Sequence, residues 1–97
     1  MYGTIARMRA RQGADFRAVV AELESRPVRG HLATYVYQMD RDSREYFVVV
    51  LFADKESYFA NAESPEQHAD YLRLLEHLEA PPEWHDGQMM WSIVRDS

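Results

Sequence analysis

The period of the apolar positions changes several times along the chain, and each change marks an element. Tyr2, Thr4, Ala6, Met8 and Ala10 alternate with Gly3, Ile5, Arg7 and Arg9, which is the period of two of a strand, and Gly13 breaks it. From Asp15, the residues Phe16, Val19, Val20 and Leu23 fall at helical spacing, with Pro27 as the stop. His31 to Met39 alternates again and predicts a second strand, with His31, Ala33, Tyr35, Tyr37 and Met39 on one face. Asp40 to Arg44 reads as a turn, and Tyr46 to Phe52 is an unbroken β-branched and aromatic run, so the two strands form a hairpin. Asp54 caps a short helix to Ala62. Ser64, Pro65 and Gln67 supply the start of a longer helix that runs to about Glu79, with Tyr71, Leu72, Leu74, Leu75 and Leu78 as its apolar stripe. Asp86-Gly87 reads as a turn and Gln88 to Val94 as the last strand, with Met89, Trp91 and Ile93 on one face.

The order β-α-β-β-α-α-β is the split βαβ arrangement of ferredoxin-like α+β folds, with one extra short helix and a four-stranded antiparallel sheet. The third strand is apolar on both sides, yet so few helices can cover only one face of the sheet. A second copy of the chain, docked face to face, is the expected cover.

Composition narrows the class. Ninety-seven residues suit a single domain over 1–97, and 46% hydrophobic residues suit a packed core. There is no Cys, so disulfides, thiolate zinc sites and cysteine nucleophiles are excluded and a reducing cytoplasm is expected. No apolar run approaches the length of a signal peptide or a membrane span, so a soluble protein with no membrane partner is expected. The net charge of −5 argues against nucleic acid, and Arg7, Arg9 and Arg11, although at strand spacing, read as a solvated strand face.

Among candidate chemical groups His68 stands out. One turn back from Tyr71 and Leu72, it lies on the inward edge of its helix, where an imidazole can exchange a proton near neutral pH. The plain alternative is a core-edge histidine bonded to a backbone carbonyl. His31 and His85 read as surface residues, and His77 lies near the end of the long helix. Tyr35, Tyr37, Phe52, Tyr71 and Trp91 could line an apolar pocket for a flat ligand, although such residues also build cores and interfaces. Tyr58 and Phe59 read as anchors of the short helix. No His and carboxylate spacing predicts a metal site, and no Gly-rich phosphate loop or nucleophile elbow is present.

With these elements in place the chain resembles the antibiotic biosynthesis monooxygenase family of dimeric α+β barrels. The resemblance rests on the opening strand closed by Arg11-Gln12-Gly13, the Pro27 to Gly30 entry to the second strand, the block from Tyr46 to Tyr58, and Ala62 to His68. It implies a homodimer whose sheets face each other and, in enzyme members, oxidation of aromatic polyketides by oxygen with no metal or flavin. For relatives that degrade haem it implies an Asn on the first strand, a Trp ending the third and a haem-ligating His on the long helix. Those places hold Ala6, Phe52, and Asp70 or Tyr71 here, with His68 within one turn of the last, so the haem branch is disfavoured. Two expectations follow: a cofactor-independent monooxygenase acting on a small aromatic or polyketide-like substrate with His68 as its base, or a non-catalytic barrel that binds a small apolar molecule.

Overall fold

β1 (Tyr2–Arg9) and β3 (Asp42–Phe52) form the centre of the sheet, paired antiparallel from Tyr2 opposite Phe52 to Arg9 opposite Glu45. β2 (His31–Met39) pairs with β3, and β4 (Glu83–Gln88) pairs with β1, so the strand order is β2-β3-β1-β4. The helices α1 (Phe16–Leu23), α2 (Lys55–Ala62) and α3 (Pro65–Leu75) complete an α+β fold of ferredoxin-like topology. These coordinates are a computed structural model that describes residues 1–96.

Directly opposed residues in an antiparallel pair share a face, so the register sorts the side chains. Ala6, Met8 and Val48 point toward the helices, where they form the core with Ala10, Phe16, Leu74 and Leu78. Phe16 stacks on Tyr46 with ring centroids 4.2 Å apart, fixing α1 to β3. Ile5, Phe47, Val49, Leu51, Tyr35 and Tyr37 occupy the opposite face of the sheet, which no helix among the described residues covers.

The helix starts follow their side-chain chemistry. Asp15 accepts from Ala18 N, Asp54 from Ser57 N at 2.7 Å, and Ser64 from Gln67 N at 3.1 Å, each satisfying an N–H that has no partner within its helix. Only half of the capping box at Ser64 forms. The Gln67 side chain accepts from Asn61 Nδ2 instead of reaching back to Ser64, whose N–H donates to Asn61 O. Gly30 joins α1 to β2 at φ 85°, and a Cβ there would run into the Ser57 side chain, so glycine is required on both counts.

Four boundaries and one face differ from the sequence reading. β3 begins at Asp42, because Met39 already pairs with Asp42 and the hairpin turn is tight. α3 ends at Leu75, not Glu79: Glu79 N donates to Arg9 O and Arg11 N to His77 O, so the chain leaves the helix to bridge Leu78 against Ala10 and bury it. The last strand is Glu83–Gln88, with Gly87 inside it opposite Gly3; Met89 to Val94 lies outside any helix or strand. An irregularity between His31 and Ala33 reverses the alternation, so His31 stands opposite Phe52 on the helix side instead of sharing a face with Tyr35.

Arg7, Arg9 and Arg11 are held by partners. Arg7 Nε donates to Glu45 at 2.7 Å, Arg9 pairs with Asp42 at 3.1 Å, and Arg11 Nε donates to Leu78 O. Glu45 is buried and accepts from Arg41 as well; the Arg41 guanidinium first and Arg7 second hold its carboxyl below the usual range. No helix among the described residues is long and apolar enough to cross a membrane.

Candidate functional site

Between the three helices and the sheet lies a cavity of about 400 Å³. Its floor is sheet: Met8, Val48, Val50 and Phe52, apolar because those positions face the helices, with Thr4 as the polar exception. Leu23 of α1 and Tyr71 and Leu74 of α3 supply apolar walls, and Trp84 of β4 approaches Tyr71 with ring centroids 6.3 Å apart. Tyr58 and Phe59 of α2 close one side. Tyr58 packs edge-on against Tyr2 and Phe52 and Phe59 lies tilted against Tyr2, so the two anchor the helix and line the cavity at once.

Three polar groupings interrupt this apolar lining. Arg26 donates to Asp70 Oδ2 through both Nε and Nη2, and Arg73 donates to Asp70 Oδ1, so the Asp70 carboxylate is occupied from two sides. His31 Nε2 lies 2.8 Å from Thr34 Oγ1, which donates to Glu24 Oε2 at 3.0 Å. The Tyr58 hydroxyl donates to Asp86 Oδ1 at 2.8 Å. Burial pushes the Tyr58 phenol well above its ordinary value and the bond to Asp86 pushes it further; the Thr4 hydroxyl acts in the opposite sense without reaching hydrogen-bond geometry.

His68 lines the cavity from the first turn of α3 and is exposed. Its backbone N–H donates to Ser64 O, while no carboxylate of the described residues orients its imidazole; Asp70 is held by the two arginines. Phe52 and Tyr71 line the same cavity as His68. Tyr35 and Tyr37 do not. They stand opposite Val49 and Phe47 on the uncovered face and are 54% and 58% exposed. Trp91 is 76% exposed, follows the last strand and is also outside the cavity.

Sequence reading missed Trp84, the aromatic that β4 does bring to the cavity, because the last strand was expected later. It also missed His31, displaced to this face by the irregularity in β2, and the polar groups Thr4, Arg26, Asp70 and Asp86. The capping residues around Ser64 were the available signal for His68; no comparable local signal marks Thr4 or Asp86, which meet only through sheet register. Among the described residues no three His, Asp or Glu side chains are grouped to hold a metal ion.

A four-stranded ferredoxin-like sheet with helices on one face and a largely apolar cavity between the two layers defines a small α+β domain. The sequence profile of the antibiotic biosynthesis monooxygenase family matches residues 1–73, and the chain belongs to that family. Solved structures agree on the fold. An antibiotic biosynthesis monooxygenase-type protein from Chloroflexus aurantiacus J-10-fl superposes with a TM-score of 0.77 at 23% identity, covering 96% of both chains. One from Bordetella bronchiseptica gives 0.77 at 21% identity, covering 93% of this chain and 97% of its own. SnoaB, a cofactor-independent oxygenase from Streptomyces nogalater, gives 0.78 at 13% identity over 97% of both chains. No match was found among curated proteins.

Proposed function

We propose that the protein is a cofactor-independent monooxygenase that oxidises a small hydroxylated aromatic or polyketide-like substrate in the cavity between helices and sheet. The observation that carries this reading is the cavity itself: about 400 Å³, apolar on floor and walls, with an imidazole on its lining. A flat aromatic molecule matches that shape and polarity. Family membership and the fold shared with a cofactor-independent oxygenase support the same chemistry.

In this reading His68 accepts the proton of a substrate phenol, leaving an electron-rich ring anion. The anion passes an electron to dioxygen, and the radical pair recombines with a new C–O bond at a ring carbon. Loss of water from the resulting hydroperoxide leaves a carbonyl there, so one oxygen atom ends in the quinone and the other in water. Apolar walls keep bulk water from the anion and hold the ring in one orientation. Incubating the protein with hydroxylated naphthalenes and anthracenes under isotopically labelled dioxygen tests this. A labelled quinone formed only with the protein present supports it, and an unchanged substrate across the panel refutes it.

The working unit in this proposal is a homodimer of cytoplasmic single-domain subunits. The uncovered sheet face supports it: Ile5, Tyr35 and Tyr37 are exposed there beside the half-buried Val49, an apolar cluster of the kind that marks an interaction surface.

A further inference from the structure

Thr4 is 4% exposed, lines the cavity, and its Oγ1 makes no hydrogen bond among the described residues. A buried hydroxyl without a partner is uncommon, because folding takes it from water and returns nothing. Sheet register explains where it stands. Thr4 is directly opposite Val50 on β3 and Asp86 on β4, and all three line the cavity. From α2, Tyr58 donates to Asp86 Oδ1 at 2.8 Å. That bond engages one carboxylate oxygen of Asp86, while the Thr4 hydroxyl acts on Tyr58 without meeting hydrogen-bond geometry to it or to any other described group.

We infer that Thr4 and Asp86, with Tyr58 fixing the carboxylate, form a recognition subsite for one uncharged hydroxyl group on an aromatic ligand. The ligand oxygen accepts from the Thr4 hydroxyl, and its proton is donated to the Asp86 carboxylate, which matches the donor and acceptor capacity of each group. A ligand carboxylate placed there would face Asp86 and be repelled; a methyl ether could not donate. The carboxylate also disfavours ionisation of the bound hydroxyl. The group recognised here is therefore not the one that loses its proton to His68, and the substrate class is an aromatic with at least two hydroxyls. This inference rests on the cavity being the ligand site, as proposed above, but not on catalysis.

Equilibrium dialysis of α-naphthol, α-methoxynaphthalene and α-naphthoic acid against the wild type, Thr4→Val and Asp86→Asn tests it. The wild type is expected to bind the naphthol about tenfold or more tighter than either analogue. Thr4→Val, which keeps the side-chain shape, should weaken naphthol and ether alike, because both oxygens accept from Thr4, while the preference over the ether rests on donation to Asp86. Asp86→Asn should raise the affinity for the acid. Equal binding of naphthol and ether by the wild type, no measurable naphthol binding, or an unchanged naphthol affinity in Thr4→Val would overturn the subsite. Should either variant fail to fold by circular dichroism, the three-ligand comparison on the wild type decides. Naphthol selectivity without oxygen uptake by any polyhydroxylated aromatic would remove the monooxygenase reading and leave the subsite standing.

Discussion

Val49→Asp should separate the proposed dimer into folded monomers. Val49 sits at the middle of the uncovered sheet face, between Ile5 on β1 and Tyr35 on β2, its cross-strand partners. In an isolated subunit that position is only partly buried, so a carboxylate there keeps its water and the subunit folds. In a face-to-face dimer the same carboxylate would be buried against apolar side chains. Asp is too short to reach the rim. The cations nearest on this face are engaged, Arg7 by Glu45 and Arg9 by Asp42 and Glu79. An uncompensated buried charge costs about 3–5 kcal/mol. With one such charge on each subunit the dimer buries two, so its dissociation constant rises by about ten-thousandfold or more. Sedimentation velocity across a range of micromolar concentrations measures it, with circular dichroism to verify the fold. Val50→Asp is the contrasting variant: Val50 lines the cavity, so a charge there should disturb the ligand site or the fold without acting on the interface. A wild type that sediments as a monomer, or a Val49→Asp variant that dimerises like the wild type, would refute the reasoning.

Three smaller predictions concern the fold and the cavity. Glu45 has its folded pKa depressed by Arg41 and Arg7, so its contribution to stability is present above the unfolded value near 4.5 and is lost as pH falls through the lower folded value. Thermal melts of wild type and Glu45→Gln should therefore differ at neutral pH and converge in acid; a gap that widens on acidification would contradict this. Ser64→Ala removes the acceptor for Gln67 N and should reduce stability by about 1 kcal/mol in chemical denaturation, with no loss showing that the Asn61 contacts cap α3 unaided. Trp84→Ala should weaken binding of a flat aromatic probe, whereas Trp91→Ala should leave it unchanged; the reverse order would place the ligand outside the cavity.

Most of the architecture was legible because the helices and central strands carry strong periodic signals. The Phe16, Val19, Val20 and Leu23 stripe packs on the core as its spacing requires, and Asp54 and Ser64 cap where their chemistry demands. β4 was misplaced for a physical reason. An edge strand is held by backbone pairing to β1, so Glu83–Gln88 needs no apolar alternation, while the Met89 to Ile93 alternation has no strand to pair with among the described residues. The tyrosines of β2 illustrate a second limit. Alternation correctly put Tyr35 and Tyr37 on one face, but it cannot say which face looks onto the cavity when both carry apolar residues. His31 shows a third, since a single irregularity in register reverses a side chain's face and leaves no mark in composition. The cavity's polar groups are the least legible of all. Thr4, Tyr58 and Asp86 lie on three elements and meet only through tertiary pairing.

The central claim is that this cavity runs an oxygen-dependent reaction with His68 as its base. It is tested most directly by the rate of dioxygen uptake with a polyhydroxylated aromatic substrate, compared between the wild type and His68→Ala at matched thermal stability. The account predicts steady uptake by the wild type and a loss of about a hundredfold or more in the variant, the range general base catalysis supplies, with the melting temperature nearly unchanged because His68 is exposed. Equal uptake by both proteins, or none by either across the panel, would contradict it.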